Sequence, residues 1–95
     1  MPEMRFTIRW PDGQSERCYS PSLVVKDFFT PGESYALDDF LARSRQALKI
    51  ASDRVEARYG MPCSRALGQL ARLEAAGGSF STHPDARVAV ESFDE

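Results

Sequence analysis

The sequence has little of what marks several common classes of protein. It holds two cysteines, Cys18 and Cys63, and a single histidine, His83, among 95 residues. Two cysteines so far apart do not make a disulfide framework, and with His83 they offer at most three of the four ligands of a structural zinc site. No glycine-rich phosphate loop is present. We therefore expect no metal site and no cofactor, and a reducing, cytoplasmic setting.

Long apolar runs and an excess of basic charge are also missing. No run approaches the roughly 20 residues of a membrane span, and the start MPEMRFTIRW alternates where a signal peptide has a continuous apolar block. The net charge of −2 argues against general binding to nucleic acid or anionic membranes. The apolar content of 42% is ordinary for a globular protein. The length predicts a single domain over residues 1–95.

The N-terminal segment has the pattern of a β-hairpin. Apolar and polar residues alternate over residues 4–10, as in a strand with one buried face. A Pro-Asp-Gly segment at residues 11–13 supplies turn chemistry, and residues 14–20 form the predicted returning strand. Residues 3–20 are therefore predicted to form a hairpin.

The next segment is ambiguous. The short apolar run Leu23–Phe29 suits a third strand, but Ser22 could equally cap a short helix there. We favour the helix. Residues 30–32 are predicted to form a turn, and Glu33–Tyr35 to lead into the long helix that follows.

Two helices occupy the middle of the chain. Apolar residues recur every three or four positions from Leu37 to Tyr59, which predicts a helix over residues 36–60 whose apolar face is covered by the sheet and the second helix. Gly60 and Pro62 mark its end. A second helix is predicted from about residue 63 or 64 to 76, ended by two glycines at residues 77 and 78. The brief link predicts an αα-hairpin.

The last segment completes the predicted fold. Val88 and Val90 alternate with polar residues in a strand over residues 87–93, which must return to the N-terminal hairpin to find partners. The sequence thus predicts a two-layer α+β domain. A small antiparallel sheet, made of the N-terminal hairpin and the C-terminal strand, packs on the helical hairpin.

Two groups of side chains could bind a small ligand. Cys63 begins the second helix, where backbone N–H groups and the nearby Arg65 could activate a thiol; its place on the apolar line of the helix favours packing instead. Tyr19, Ser20 and Ser22 could present hydroxyls at a helix start. We favour the simpler interpretation, that Ser22 caps its own helix. For Cys18 we favour a packing role.

The outer face of the hairpin carries a third candidate. Arg5, Arg9 and Arg17 share it with Tyr19, and arginines interleaved with an aromatic suit RNA. The acidic total favours a solvated sheet face. His83, in a Thr-His-Pro-Asp segment, is interpreted as a solvated loop residue.

Several stretches together resemble one small protein family. They are MPEMRFTIRWPDG at the start, CYSPS after the hairpin, and YALDDFLARSRQAL with ASDRVEARYGMPCSRAL through the helices. The chain resembles the bacterial nitrogen-starvation-response proteins of about this length. The resemblance implies a gene cluster with a nitrilase, a radical-SAM protein, an acetyltransferase and a flavoprotein, linked to nitrile or cyanide nitrogen assimilation. It implies no reaction and no functional residues.

Two functions follow as hypotheses. The first is a non-enzymatic accessory or regulatory protein that acts through protein–protein contacts, with enzymes of the same pathway or a second copy of the chain as partners. The second is a small enzyme or metabolite-binding protein that uses Cys63 with Arg65, Tyr19 or Ser20.

Overall fold

The computed structural model describes residues 2–95, which form four strands and two α-helices. The strands are β1 (Met4–Arg9), β2 (Ser15–Ser20), β3 (Ser34–Ala36) and β4 (Arg87–Asp94). The helices are α1 (Leu37–Tyr59) and α2 (Ser64–Gly78). The sheet is antiparallel with the order β2-β1-β4-β3. The predicted α+β fold, with a helical hairpin packed on an antiparallel sheet, is confirmed.

The alternation in β1 defines the two faces of the sheet. Phe6 and Ile8 are fully buried, and Phe6 pairs with Cys18 on β2. The turn closes where the Trp10 N–H donates to the Gln14 carbonyl at 2.8 Å. Gly13 takes a φ of 89° there, which a residue without a Cβ adopts at no steric cost. The predicted hairpin is therefore present.

One strand of the sheet was not predicted. Residues 33–35 do not simply lead into the long helix, because Ser34–Ala36 form β3 and pair with β4. The Val90 N–H donates to the Glu33 carbonyl at 2.9 Å, just before β3. A three-residue strand is too short to show the alternation that identifies strands in sequence.

The ambiguous segment before β3 forms a short 3₁₀ helix over Leu23–Asp27. The hydroxyl of Ser22 accepts the Val24 N–H at 3.3 Å. The interpretation as a capped helix is therefore confirmed, and the alternative of a strand is wrong.

The core lies between the sheet and the two helices. Phe40 and Leu48 from α1 and Leu73 from α2 are fully buried against it. Further members of the same cluster come from the sheet and from the segment before β3: Met4, Phe6, Ile8, Trp10, Cys18, Val25, Phe29, Val88 and Val90.

The long helix extends beyond the sheet. Its 23 residues give a length of about 34 Å, whereas the eight residues of β4 span about 26 Å. From Asp53 to Arg65 every residue except Val55 and Cys63 is exposed. The prediction that the apolar face of α1 is covered as far as Tyr59 is therefore wrong for the last turns of the helix. The sheet does not extend as far as Tyr59.

The second helix is longer than predicted. It continues through Gly77 and Gly78, and the carbonyls of Ala76 and Gly77 accept the N–H groups of Ser79 and Phe80. Gly77 is buried against α1, where a Cβ would lie 3.0 Å from both methyl carbons of Leu41. Close packing of the helices explains why a glycine continues the helix here.

Candidate docking surface at the tip of the helical hairpin

The hairpin tip, defined as residues 53–67, is the projecting end of the molecule. It carries three exposed large apolar side chains: Tyr59 is 64% exposed, Met61 72% and Leu67 44%. Single exposed apolar residues are ordinary on a protein surface, but grouped ones mark contact sites. Tyr59 and Met61 are separated by one residue in the turn, so the tip presents them together.

The charges at the tip differ from those elsewhere. Eight of the 12 lysines and arginines form ion pairs. Within residues 2–95, the four without a carboxylate partner are Arg54, Arg58, Arg65 and Arg87. Three of these four belong to the tip. Glu56 is the tip's one carboxylate outside an ion pair among the described residues. The tip therefore combines apolar area with positive charge.

Hydrogen bonds hold the tip in a defined shape. Gly60 ends α1 with a φ of 85°, and its N–H donates to the Glu56 carbonyl at 2.8 Å. The Cys63 N–H donates to the buried hydroxyl of Ser52 at 3.1 Å, and the Leu67 N–H donates to the Cys63 carbonyl at 3.1 Å. The start of α2 is thereby fixed to the side of α1, and the apolar side chains of the tip project from an ordered turn.

The structure brings three of the predicted site residues together beside the tip. The guanidinium carbon of Arg65 lies 3.9 Å from the centre of the Tyr19 ring, and that of Arg5 lies 5.1 Å from the same centre. The pKa of Tyr19 is raised, mainly by burial and then by the hydrogen bond and charge of Glu3, against the opposing charge of Arg65. Cys63 is close enough to act on the same pKa. It is half-buried and lies outside the core cluster.

The two predicted serines lie apart from that group. Ser20 and Ser22 are buried, and the Ser20 hydroxyl donates to the Ser22 carbonyl at 2.7 Å. The Ser22 hydroxyl accepts the Arg54 guanidinium at 2.8 Å as well as the Val24 N–H. Their hydroxyls connect the end of β2 to α1.

The arginine face of the hairpin is neutralised by carboxylates. Arg9 pairs with Glu91 at 3.0 Å, and Arg5 with Glu3 at 3.6 Å. Arg17 pairs with Asp94 at the end of β4. A face balanced in this way lacks the positive charge that draws a nucleic-acid backbone.

Two clefts lie at the opposite end of the molecule, which we call the loop end. It comprises the β1–β2 turn, the first turn of α1, the last turn of α2 and residues 79–86. The larger cleft, of about 440 Å³, separates the two helix ends, with Leu41 and Gly77 at its base and Arg45 bonded to Glu74 beside it. The second, of about 410 Å³, is lined by Phe80 and Asp85 among others. His83 is exposed and borders both, so the only histidine lies far from the predicted site at Cys63.

Residues 2–95 contain no group of three or more His, Cys, Asp or Glu side chains placed to hold a metal ion. Among the same residues, no helix combines the length and apolarity that crossing a bilayer requires.

These features define a small α+β protein in which a helical hairpin backs an antiparallel sheet and projects past it. A family model described as nitrogen starvation-induced protein NitG matches residues 5–93. The chain belongs to this family, which confirms the resemblance found in its sequence. No curated protein and no solved structure matches it.

The features that sequence reasoning missed are the apolar tip and the clefts. The lengths of the predicted elements could have indicated the tip. A helix of about 34 Å is longer than strands of six to eight residues, so one end of it extends past the sheet. The clefts depend on how residues 79–86 fold back between the helix ends, and no local pattern reports that.

Proposed function

We propose that this protein is a non-enzymatic accessory or regulatory protein of nitrogen-starvation metabolism that acts through protein–protein contacts at its hairpin tip. The observation that carries the proposal is the exposure of Tyr59 and Met61 on an ordered turn beside Arg58, in a tip that also contains Arg65. Tyrosine, methionine and arginine are the residue types enriched in protein interfaces. The partners we propose are enzymes of the nitrile-linked or cyanide-linked nitrogen pathway that the family resemblance implies.

The tip defines the chemistry of its partner. Tyr59 and Met61 require an apolar pocket, in which a tyrosine supplies a rigid anchor and a methionine adapts to the shape available. The arginines favour carboxylates around that pocket, which would also speed the encounter. The expected partner surface is therefore an apolar depression bordered by acidic side chains.

A reaction at Cys63 has weaker support. A cysteine nucleophile needs a neighbouring base or another group that forms its thiolate. His83 is at the loop end, and Arg65 stacks on Tyr19. Cys63 joins the start of α2 to α1 through its N–H bond to Ser52, and Arg65 joins α2 to the sheet.

The proposal is tested by identifying a partner and then measuring where it binds. The tagged chain is used to isolate proteins from nitrogen-starved host cells, and each captured protein is purified. The dissociation constant is then measured for the wild type and for Met61→Asp. We expect Met61→Asp to weaken binding at least about tenfold, since a charge would enter a desolvated pocket.

The matched control is Ala71→Asp, which adds the same charge to an exposed position on α2 outside both the tip and the loop end. It should bind like the wild type. Circular dichroism establishes that both variants are folded. A partner that binds both variants as tightly as the wild type would contradict the role of the tip.

A further inference from the structure

The two ends of the molecule carry opposite unpaired charges. The tip holds Arg54, Arg58 and Arg65 against the single carboxylate of Glu56. Among residues 2–95, the loop end holds three carboxylates outside any ion pair, those of Asp12, Asp38 and Asp85, and one such cation, Arg87, adjoins it at the start of β4.

Arg87, the first residue of β4, is the cation without a carboxylate partner that adjoins the loop end. Its guanidinium donates to the Ser34 hydroxyl at 3.0 Å and to the Ser34 carbonyl at 2.8 Å, so it is held against β3. Asp38 lines the larger cleft directly, and Asp12 and Asp85 line the adjacent one. The loop end is thus an apolar depression bordered by acidic side chains, which is the partner chemistry that the tip requires.

The larger cleft also has the right size and composition. Its 440 Å³ lie within the range of sites that enclose small ligands, so a tyrosine or methionine side chain fits. Leu37, Leu41 and Ala86 give it an apolar lining next to Asp38.

We infer that the hairpin tip of one copy docks in the larger cleft at the loop end of a second copy, with the carboxylates of the adjacent cleft beside it. This inference rests on the proposed role of the tip in protein contacts. The contact is head to tail, so each copy uses two different surfaces, and successive copies form a ring or an open chain. Because the contact joins one turn to one cleft, we expect a weak, reversible association. Because charges contribute, the association weakens as salt concentration rises.

Self-association then competes with the pathway partner for the tip. A chain whose tip lies in the cleft of its neighbour cannot present Tyr59 and Met61 to an enzyme. Free tips therefore become a smaller fraction of the protein as its concentration rises. A variant with a disabled cleft should bind the partner at least as well as the wild type, and better at high concentration.

The test uses sedimentation velocity of the purified chain and two variants. Met61→Asp disables the tip. Asp38→Asn in the larger cleft, combined with Asp85→Lys in the adjacent one, removes the acidic border of the docking site and so disables the cleft. Wild type should show a weight-average mass that rises with concentration and falls with salt, while each variant alone stays monomeric. An equimolar mixture of the two variants should form a dimer and nothing larger, because it retains one intact tip and one intact cleft.

Asp27→Lys is the charge control, since Asp27 is an exposed carboxylate on the 3₁₀ helix, away from the cleft. It should associate like the wild type. A wild type that stays monomeric up to its solubility limit overturns the inference, as does an association that survives Met61→Asp.

The two proposals fail in different ways. If the wild type is monomeric and Met61→Asp still abolishes partner binding, self-association is refuted and the proposed function stands. If the purified partner binds Met61→Asp as tightly as it binds the wild type, the proposed function itself fails.

Discussion

The guanidinium of Arg65 lies over the ring of Tyr19, with its central carbon 3.9 Å from the ring centre. Arg65 is in the first turn of α2 and Tyr19 is on the edge strand β2, so this contact ties the base of the hairpin tip to the sheet. Gln69, one turn further along α2, adds a second tie because its side-chain oxygen accepts the Tyr19 N–H at 2.9 Å. The tip projects from a base that is anchored at two points.

Replacing Arg65 with alanine should therefore destabilise the fold. We expect a loss of about 0.5–1 kcal/mol in the free energy of unfolding, the usual worth of a cation–π contact at a surface. Urea denaturation measures it. Arg58→Ala is the matched control, because Arg58 lies 5.7 Å from the centre of the exposed Tyr59 ring and its loss should change stability by less. Equal losses in the two variants would contradict the anchoring role.

Two buried serines of α1 should respond oppositely to substitution. The Ser44 hydroxyl has no hydrogen-bond partner within residues 2–95, whereas the Ser52 hydroxyl accepts the Cys63 N–H. Ser44→Ala removes an unsatisfied polar group, so it should raise the free energy of unfolding by about 1 kcal/mol. Ser52→Ala leaves a backbone donor unpaired and should lower it by about 1 kcal/mol. Urea denaturation of both variants checks the direction of each change. A Ser44→Ala variant that is less stable than the wild type would refute the prediction for Ser44.

Two glycines of α2 should also differ. A Cβ at Gly68 would meet no atom within 4 Å, so Gly68→Ala should stabilise the helix by about 0.8–1 kcal/mol. A Cβ at Gly77 would lie 3.0 Å from the methyl carbons of Leu41, which would have to shift toward the larger cleft. Gly77→Ala should therefore stabilise the protein clearly less than Gly68→Ala does, or destabilise it. Thermal unfolding compares the pair, and equal gains would mean that the helices are not closely packed there.

The two cysteines should react at very different rates. Cys18 is 1% exposed, and burial raises its pKa to about 12, with Glu16 adding to the shift. The reactive species is the thiolate. A thiol reagent at pH 8 should therefore modify Cys63 first and Cys18 only after unfolding. Cys63→Ser should abolish the fast phase, and fast modification of Cys18 in that folded variant would contradict its burial.

The raised pKa of Cys18 also predicts how stability changes with pH. Its ordinary value is 9.0, so the unfolded chain loses this proton at a lower pH than the folded chain does. The contribution to stability is complete below pH 9 and is lost as the pH rises toward 12. Between pH 9 and 12, the stability of the Cys18→Val variant should fall less steeply with rising pH than that of the wild type. Denaturation at several pH values measures both slopes.

The sequence predicts the elements of this fold better than their lengths relative to one another. Alternation identifies β1 because one face of that strand is buried along its whole length. Helical spacing identifies α1 because one face of the helix is buried from Leu37 to Ser52. The strand Ser34–Ala36 escapes both criteria, since its three residues are too few to establish a repeat and none of them is buried.

The candidate surface was harder to predict. Helical spacing continues to Tyr59, so the pattern alone assigns that residue to the core. Its exposure follows from the end of the sheet, which is a relation between distant elements. In the same way, Arg9 and Glu91 are 82 positions apart in sequence, and only the pairing of β1 with β4 shows that they neutralise each other.

The most direct test of the central claim is a map of the contacts that the protein makes in nitrogen-starved host cells. A photo-crosslinking amino acid is placed at Met61 in the tip, at Ser92 on the outer face of the sheet and at Ala71 in the middle of α2, in separate strains. The account predicts crosslinked species at position 61 that are absent at positions 71 and 92. Crosslinks confined to position 71 or 92, with none at 61, would show that the protein makes its contacts elsewhere.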